Sequence, residues 1–321
     1  MPVIETDNLV KQYGKIEALR GLTLNVEIGE IFGLLGQNGA GKTTLVKILL
    51  GITKATAGQA RLLGQPAGTA AVRKRIGYLP EDHRFPEYHT GYSLLEFYGT
   101  LLGVPRQILL RRIDAMLDLV GLQGRKDHKL RTYSKGMKQR VGIAQALLHN
   151  PEVIFLDEPT DGVDPVGRRE IRRILQELKS AGKTIFLNSH MLGEVELICD
   201  RVAILRAGEL IREGDIASLT QQRGLYVLGL APGQQFPRAE VASLGYEVAP
   251  RGEFWEVAVG DGQDIDAIVD LLRSRGLSIR HLTEWRQTLE DLFMETVVAA
   301  EPGIDGPTAR QQPGTTAITK C

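Results

Sequence analysis

A glycine-rich segment, GQNGAGKTT at residues 36–44, has residue types that suit the binding of a nucleoside triphosphate. It fits the pattern G-x-x-x-x-G-K-[ST]. In such a loop the glycines let backbone N–H groups surround phosphate oxygens, the lysine places a positive charge on the β- and γ-phosphates, and the hydroxyl can ligate Mg²⁺. The whole segment is therefore the predicted phosphate site: Gly36, Gln37, Asn38, Gly39, Ala40, Gly41, Lys42, Thr43 and Thr44.

The residues on either side of this loop predict the elements that position it. Glu30–Leu35 (EIFGLL) is a short apolar run typical of a buried strand. Lys42–Leu50 has apolar residues at helical spacing, and Gly51 would end that helix. The loop would then lie at a helix N-terminus, where the backbone dipoles favour an anion.

Two acidic residues follow a second apolar run, VIFLDE at residues 153–158. Four apolar residues in succession are typical of a strand buried on both faces of a parallel sheet. Asp157 and Glu158 would emerge at its carboxyl end, where open α/β sheets bind ligands. Asp157 could hold the Mg²⁺ of ATP, and Glu158 could accept the proton of an attacking water.

These segments resemble those of the nucleotide-binding subunit of an ATP-binding cassette (ABC) transporter. The resemblance covers residues 3–220 and implies an α/β P-loop NTPase fold, with a mixed sheet, an antiparallel β-subdomain and a helical subdomain. Five further segments match in the expected order: Tyr13 in KQYGK at the adenine-stacking position, Glu81 in IGYLPED at the Q-loop position, YSKGM at residues 133–137 as the signature, DGVD at residues 161–164 as the D-loop, and His190 in NSHM as the switch histidine.

The resemblance also implies how the site works. The signature residues would contact ATP held by a second subunit, so that two domains sandwich two ATP molecules head to tail. Glu158 and His190 would be the catalytic pair, with His190 directed at the γ-phosphate. The other implied site residues are the signature's Ser134, Lys135, Gly136 and Met137, the D-loop's Asp161 and Asp164, and the Mg²⁺ ligands Thr43, Glu81 and Asp157.

Three positions depart from the commonest family pattern. Glu81 replaces the usual glutamine, and an ionised carboxylate can accept but not donate a hydrogen bond. Lys135 and Met137 replace the glycine and glutamine usual in the signature. These variants resemble the branch that pairs with ABC type-2 permeases, which are mostly exporters.

Composition agrees with a globular enzyme that has no membrane span of its own. Lysine plus arginine and aspartate plus glutamate number 39 each, so no bulk positive charge favours nucleic acid. Two cysteines exclude a disulfide scaffold, and no apolar run reaches about 18 residues. The resemblance implies two partners, a permease on a separate chain and a second ATPase domain in a homodimer, at the cytoplasmic face of the membrane.

The pattern along the chain predicts three regions: an ATPase domain over residues 3–222, a small α+β domain over residues 225–299, and a disordered, proline-rich tail over residues 301–321. Alternation of apolar and polar residues over Leu22–Ile28 predicts a half-buried antiparallel strand. In the α+β region, strands and helices alternate in the order of a split βαβ or ferredoxin-like module, and Leu289–Val298 predicts a closing helix.

The helical subdomain is expected over about residues 85–135, and its first part is rich in aromatic side chains. Aromatic residues concentrate where proteins anchor one another. We therefore expect part of this stretch to receive a cytoplasmic helix of the permease, the alternative being that the rings pack the subdomain itself. The aromatic residues are Phe85, Tyr88, Tyr92, Phe97 and Tyr98.

Other ATPases remain alternatives. A non-transport ABC ATPase acting on DNA would carry a long coiled coil between Gly36 and Ser134, where this chain has about a hundred residues without heptads. A ribosome-bound ABC factor would carry two cassettes in one chain. A plain P-loop kinase would lack the YSKGM segment and His190. The resemblance implies that the permease, a different chain, selects the transported substrate.

Overall fold

Three β-sheets organise the computed structural model, which describes residues 2–220, 224–260, 262–285 and 287–298. The strands are β1 (Pro2–Tyr13), β2 (Ile16–Glu27), β3 (Ile31–Gly36), β4 (Ala57–Leu62), β5 (Gln65–Pro66), β6 (Ile76–Leu79), β7 (Val153–Asp157), β8 (Thr184–Asn188), β9 (Arg201–Arg206), β10 (Glu209–Asp215), β11 (Leu225–Leu230), β12 (Glu247–Arg251), β13 (Phe254–Ala258) and β14 (Ile279–Glu284). The helices are α1 (Lys42–Leu49), α2 (Ala70–Arg73), α3 (Gly91–Leu101), α4 (Arg106–Leu119), α5 (Lys135–Leu147), α6 (Pro165–Ser180), α7 (Leu192–Ile198), α8 (Ile216–Thr220), α9 (Arg238–Ser243), α10 (Asp266–Ser274) and α11 (Leu289–Val298).

The central sheet has six strands in the order β10-β9-β3-β8-β7-β6. Strands β9, β3, β8, β7 and β6 are parallel, and β10 pairs antiparallel with β9. Strands β3, β7 and β8 are apolar and buried along most of their length, as the sequence predicts for strands covered on both faces. Because these three are parallel neighbours, the segments that follow them meet at one edge of the sheet.

An antiparallel sheet in the order β2-β1-β4-β5 lies beside this central sheet. The alternation predicted for β2 is present, since Leu22, Leu24 and Val26 are buried. The prediction was wrong at Ile28, which follows the last residue of β2 and is 67% exposed. The inward residues of β2 share one core with β1 and with one face of the central sheet.

Helices cover the other face of the central sheet. The stretch expected to be helical contains α3 and α4, which pack against α5. Helix α6 begins in a way that its sequence favours: the Asp164 carboxylate accepts a hydrogen bond from the backbone N–H of Gly167 at 2.7 Å, and Pro165 is the first helical residue. No helix within the described ranges has the length and apolarity needed to cross a membrane.

Residues 225–285 form an α+β unit, which we call the C-terminal module. Its elements run β11-α9-β12-β13-α10-β14, and its sheet order is β12-β13-β11-β14 with antiparallel neighbours. This is the predicted split βαβ arrangement. Its core is apolar and includes Leu228, Val257, Ile268 and Leu272.

Helix α11 returns from the C-terminal module to the ATPase region, where it contacts α7 and α8. Leu289 and Leu292 are buried in the same core as the central sheet. The Glu196 carboxylate of α7 accepts a hydrogen bond from the backbone N–H of Leu289 at 2.9 Å. The predicted tail, residues 301–321, lies outside the described residues.

Candidate active site

The phosphate-binding loop forms one wall of a cleft of about 490 Å³. The loop follows β3, and its last residues begin α1, so the predicted strand, loop and helix are all present. Gly41 caps α1 with φ at +104°, and a Cβ there would lie 2.6 Å from the carbonyl oxygen of Ala18. Only glycine tolerates both conditions, which explains its place in the loop.

One end of the cleft is apolar. Tyr13, at the end of β1, is 46% exposed, and Ile16 on β2 is 70% exposed. The ammonium of Lys11 lies 4.7 Å from the centre of the Tyr13 ring. A flat adenine base would cover these side chains, which suits the predicted stacking role of Tyr13. Sequence reasoning missed Ile16, whose only sequence signal was an apolar residue three positions after an aromatic one.

Lys42 is buried, and its ammonium donates to the backbone carbonyls of Gly36 at 2.7 Å and Gln37 at 3.3 Å. Desolvation lowers the pKa of this ammonium, while the charges of Glu158 and Asp157 oppose that shift. A cation with only carbonyl partners at hydrogen-bond distance is well placed to transfer to a phosphate oxygen.

Asp157 lies at the end of β7, opposite Asn188 of β8, whose side-chain N–H donates to the carboxylate. Burial, followed by the nearby charges of Glu81 and Glu158, raises the pKa of Asp157 to about 6 despite that hydrogen bond. Glu81 is exposed just beyond β6, close enough for its charge to act on this group. The three acids thus create a negative field in which a cation would be stabilised.

The donor set fits Mg²⁺ bound together with phosphate. In the part of the chain that the structure describes, no three side chains of His, Cys, Asp or Glu converge as a metal site on their own. Mg²⁺ is commonly held by one or two carboxylates together with substrate phosphates. Thr43, in the first turn of α1, and the desolvated Asp157 would supply protein oxygens, with Glu81 at the side.

Glu158 has a left-handed backbone conformation, with φ at +49°, which is uncommon for a residue with a side chain. Its side chain is buried and held at both oxygens. Ser189 donates its hydroxyl to one oxygen at 3.1 Å, and His190 Nδ1 lies 2.8 Å from the other. Because a carboxylate accepts, the imidazole donates from Nδ1, which leaves Nε2 on the opposite side of the ring.

Glu158 and His190, far apart in the sequence, therefore form a hydrogen-bonded pair at the ends of β7 and β8. Sequence reasoning singled out both residues but did not predict their contact. It missed Ser189 and Asn188, which orient the two acids. Their signal was the polar NS dipeptide directly after the apolar strand TIFL.

The signature residues lie elsewhere. Ser134 is exposed and caps α5, where its hydroxyl accepts a hydrogen bond from the backbone N–H of Met137 at 3.2 Å. None of Ser134, Lys135, Gly136 and Met137 lines the cleft that contains the phosphate-binding loop. The exposed N-terminus of α5 has the backbone N–H groups to bind an anion, and the phosphate-binding loop of the same chain does not lie against it.

The two D-loop acids have different contacts. Asp164 caps α6, as described above. Asp161 accepts a hydrogen bond from the Lys135 ammonium at 2.8 Å. That bond, with the charges of Lys135, His190 and Arg168, lowers the pKa of Asp161. The D-loop therefore contacts the signature of its own chain.

Several known proteins are similar to this chain in sequence. A family described as ABC transporter matches residues 19–161. An uncharacterised ABC transporter ATP-binding protein of Synechocystis is 45% identical over 302 residues, covering 91% of this chain and 84% of that protein. The bacitracin transport ATP-binding protein BcrA of Bacillus licheniformis is 39% identical over 228 residues, covering 70% of this chain and 74% of that protein.

Solved structures of ATP-binding cassettes have the same fold as this chain. CbiO1 of Clostridium perfringens, part of an ABC transporter complex, superposes with a TM-score of 0.63 and is 31% identical, covering 68% of this chain and 90% of that chain. A second ATP-binding cassette, solved as a dimer in a post-hydrolysis state with ADP and Pi, superposes with a TM-score of 0.60 at 25% identity, covering 66% of this chain and 98% of that chain.

Proposed function

We infer that this chain, which belongs to the family of ABC transporter ATP-binding proteins, hydrolyses Mg-ATP at an interface between two ATPase domains and thereby drives a separate membrane permease. The observation that carries the proposal is the pairing of Glu158 with Ser189 and His190 beside the phosphate-binding loop. A buried carboxylate in a strained backbone, held at both oxygens, suits a proton acceptor in a fixed position.

In the proposed reaction, water attacks the γ-phosphorus of ATP in line with the leaving ADP. Glu158 accepts a proton from that water, the bond between the γ-phosphorus and the bridging oxygen breaks, and ADP and phosphate leave. Lys42 and the backbone N–H groups of the loop hold the phosphates. His190 donates from Nδ1 to Glu158 and presents Nε2 toward the γ-phosphate. Bound Mg²⁺ would neutralise phosphate charge.

The placement of the signature supports a two-chain site. Ser134 and its neighbours lie at an exposed helix N-terminus outside the cleft, where they can contact a nucleotide that a second chain holds. A second copy placed head to tail would bring its α5 to that cleft, and the reverse contact would form at the other site. A similar cassette solved as a dimer with ADP and Pi agrees with this arrangement.

A second groove supports docking of a permease. It has a volume of about 280 Å³ and lies between α1, β6 and the ends of α3 and α5. Ile52 and Leu102 line it and are 62% and 45% exposed, and Leu101 beside it is 67% exposed. Exposed apolar side chains around a groove are typical of a protein contact, and we assign this one to a cytoplasmic helix of the permease.

The aromatic residues that the sequence proposes for permease docking lie outside this groove and divide into two groups. Phe85, Tyr92 and Tyr98 pack against the core and stabilise the subdomain itself. Tyr88 is 71% exposed and Phe97 is 48% exposed, so these two are the available anchors. The docking hypothesis is therefore kept for Tyr88 and Phe97.

The proposal extends to the domain boundaries, the location and the direction of transport. We propose ATPase-domain boundaries at residues 3–222, an accessory domain at residues 225–299, and a location at the cytoplasmic face of the membrane through the permease. The names of two relatives, bacitracin transport protein BcrA and linearmycin resistance protein LnrL, support export, because both names concern an antibiotic.

Purification of the chain from membranes of the cells that make it, with identification of any membrane protein that co-elutes, tests the proposal. We expect a complex whose ATPase activity requires Lys42, and we expect Leu102→Asp, in the lining of the groove, to release the permease while the free chain still binds ATP. The matched control is Ile108→Asp, also an exposed apolar residue of the helical subdomain but outside the groove. If Leu102→Asp leaves complex formation and transport intact, the docking surface is wrong. If the chain binds no ATP, the ATPase assignment is wrong.

A further inference from the structure

The position of His190 depends on helix α7, which follows it directly. Met191 is the N-cap of α7, and its backbone N–H donates to the Ser189 hydroxyl at 3.1 Å. The His190 side chain is 55% exposed, and its Nδ1 lies 2.8 Å from Glu158. Because neighbouring side chains enclose less than half of this ring, its approach to Glu158 depends on where the backbone at the start of α7 lies.

Two sides of α7 are fixed within the ATPase region. Val195 and Ile198 are buried in its core, and Val195 rests on β3, since a Cβ on Gly33 would lie 2.9 Å from the valine side chain. On the second side, an Arg172 nitrogen of α6 donates to both carboxylate oxygens of Glu194, at 2.9 and 3.1 Å. Contacts with β3 and α6 therefore set the centre of α7.

A third side of α7 faces α11, the helix that follows the C-terminal module. The Glu196 carboxylate accepts the backbone N–H of Leu289, which is the first residue of α11. A helix leaves this N–H without a partner of its own, and its dipole favours a negative charge there. Beside this hydrogen bond, Leu289 and Leu292 are buried in the core that also contains Val195.

The first turn of α11 also has a local cap. The Thr288 hydroxyl accepts the backbone N–H of Asp291 at 3.1 Å, and the Asp291 carboxylate accepts the backbone N–H of Thr288 at 3.0 Å. This reciprocal pair has the arrangement of a capping box, which stabilises a helix start from within. Glu196 therefore adds a link from α7 to a helix start that Thr288 and Asp291 already stabilise.

We infer that Glu196 is a positioning residue for hydrolysis: by joining α7 to α11 it keeps His190 at hydrogen-bond distance from Glu158. This inference rests on the proposed function, in which Glu158 accepts a proton from water. Six residues of sequence separate His190 from Glu196. If α11 leaves, α7 can tilt on its contacts with β3 and α6, and a shift of about 1 Å at His190 would break the hydrogen bond and slow the reaction.

The same link connects the C-terminal module to the hydrolysis site. Strand β14 ends at Glu284 and α11 begins at Leu289, so four residues join them. Four extended residues span at most about 14 Å. A larger displacement of the module would pull α11 from α7, and the module would then lower the rate of hydrolysis without contacting nucleotide.

The test measures phosphate release by the full chain over a range of ATP concentrations. We expect Glu196→Ala to lower kcat about threefold, the usual worth of a charged group at a helix start. The KM for ATP should not change, because Glu196 does not line the nucleotide cleft. Glu196→Gln keeps an acceptor oxygen and should retain more activity. The matched control is Glu290→Ala, which removes an exposed carboxylate from the first turn of α11 and should behave as the natural chain.

Two further measurements separate positioning from a general loss of stability. In a His190→Ala background, single-turnover assays with excess protein follow slow hydrolysis, and adding Glu196→Ala should not lower that rate further, because the group that it positions is absent. The NMR signal of the His190 imidazole, identified by its loss in His190→Ala, should shift in Glu196→Ala, since Nδ1 leaves Glu158. It should not shift in Glu290→Ala.

The outcomes distinguish this inference from the proposed function. If Glu196→Ala lowers the rate equally in the natural and the His190→Ala backgrounds, the contact is only structural and the inference is wrong. An unchanged kcat together with an unchanged His190 signal in Glu196→Ala would also overturn it. If His190→Ala itself hydrolyses ATP at the natural rate, the error lies in the role that the proposed function gives to His190, and the inference fails with it.

Discussion

The ATPase region (residues 2–220) and the C-terminal module (residues 225–285) bury different kinds of side chain. In the ATPase region Lys42, Asp157 and Glu158 are buried within one site. Among the described residues of the C-terminal module no charged side chain is buried, and the core consists of residues such as Leu228 and Leu272. Both regions nevertheless have sheets covered by helices and continuous apolar cores.

The difference indicates where the chemistry lies. Burying charges without full compensation costs stability, and it is retained where a ligand later binds those charges. The module shows no such cost, so we interpret it as a packed unit that acts through contacts. Helix α11 supplies such a contact, because it buries Leu289 and Leu292 beside α7, the helix that follows His190.

The largest expected effect comes from removing the proton acceptor. Glu158→Gln should lower the rate of ATP hydrolysis by about 10²–10⁴-fold, the usual contribution of a general base, while ATP binding remains. The control is Glu256→Gln in the module, where the acid is paired with Arg251 at the surface, and it should hydrolyse ATP normally. Steady-state phosphate release measures both. Normal turnover by Glu158→Gln would show that this residue is not the base.

The second-largest effect comes from truncating a core side chain, which should change ATPase activity in one region and not in the other. Leu272→Ala in α10 and Leu156→Ala in β7 each remove a fully buried leucine side chain and should cost about 2–5 kcal/mol. In the module this loss should leave ATP hydrolysis unchanged, whereas in β7 it should also impair hydrolysis, because Leu156 precedes Asp157. Thermal unfolding and ATPase assays on each variant check this. Equal losses of activity would indicate that the module is part of the catalytic unit.

The buried carboxylate of Asp157 should lower the free energy of unfolding of the nucleotide-free protein, compared with a chain that has a neutral side chain there. The pKa of Asp157 is raised to about 6 in the folded chain, above its ordinary value of 3.8, so its ionised form destabilises the fold. The penalty is absent at low pH and develops as the pH rises through that interval. Asp157→Asn should therefore gain stability relative to the natural chain, by about 2 kcal/mol more near pH 7 than near pH 4.5, and should lose ATPase activity.

Denaturant unfolding without nucleotide across that pH range measures the gain. Asp114→Asn is the control, because Lys126 and Gln123 lower the pKa of that exposed carboxylate and the sign reverses. A gain for Asp157→Asn that does not depend on pH would contradict the assignment of a desolvated charge.

The smallest effect concerns the contact between α11 and the ATPase region. Glu196→Gln weakens the hydrogen bond to the N-terminus of α11 and should cost about 0.5–1 kcal/mol, the worth of a charged group at a helix start. Hydrogen exchange in α11 should increase while the module's sheet keeps its protection. The exposed Glu247→Gln is the control. Unchanged exchange in α11 would mean that apolar packing alone holds this helix.

The sequence was most informative where one residue type serves one purpose. The phosphate-binding loop, the acids after β7 and the Asp164–Pro165 helix start could all be predicted, because their spacing fixes local geometry. The approach of His190 to Glu158 depends on β7 and β8 being neighbours, which no local pattern states. The strained backbone of Glu158 had no signal either, since its residue type does not favour a positive φ.

The surface against which α11 packs could not be predicted from the sequence either. Its apolar residues predict a helix, but they do not specify which surface the helix covers. Along the sequence, residues 225–285 separate this helix from the ATPase region whose core it joins. Strand order in the module was easier to predict, because alternating short strands and helices allow few antiparallel arrangements. Ile28 was misassigned, since alternation continued one residue past the last strand pairing.

The central claim is that one copy forms only part of the ATP site. Sedimentation equilibrium of the Glu158→Gln chain, with and without Mg-ATP, tests it most directly. The account predicts a monomer without nucleotide and a dimer of two chains and two ATP molecules with it. A chain that stays monomeric at saturating ATP, alone and together with its permease, would contradict the claim.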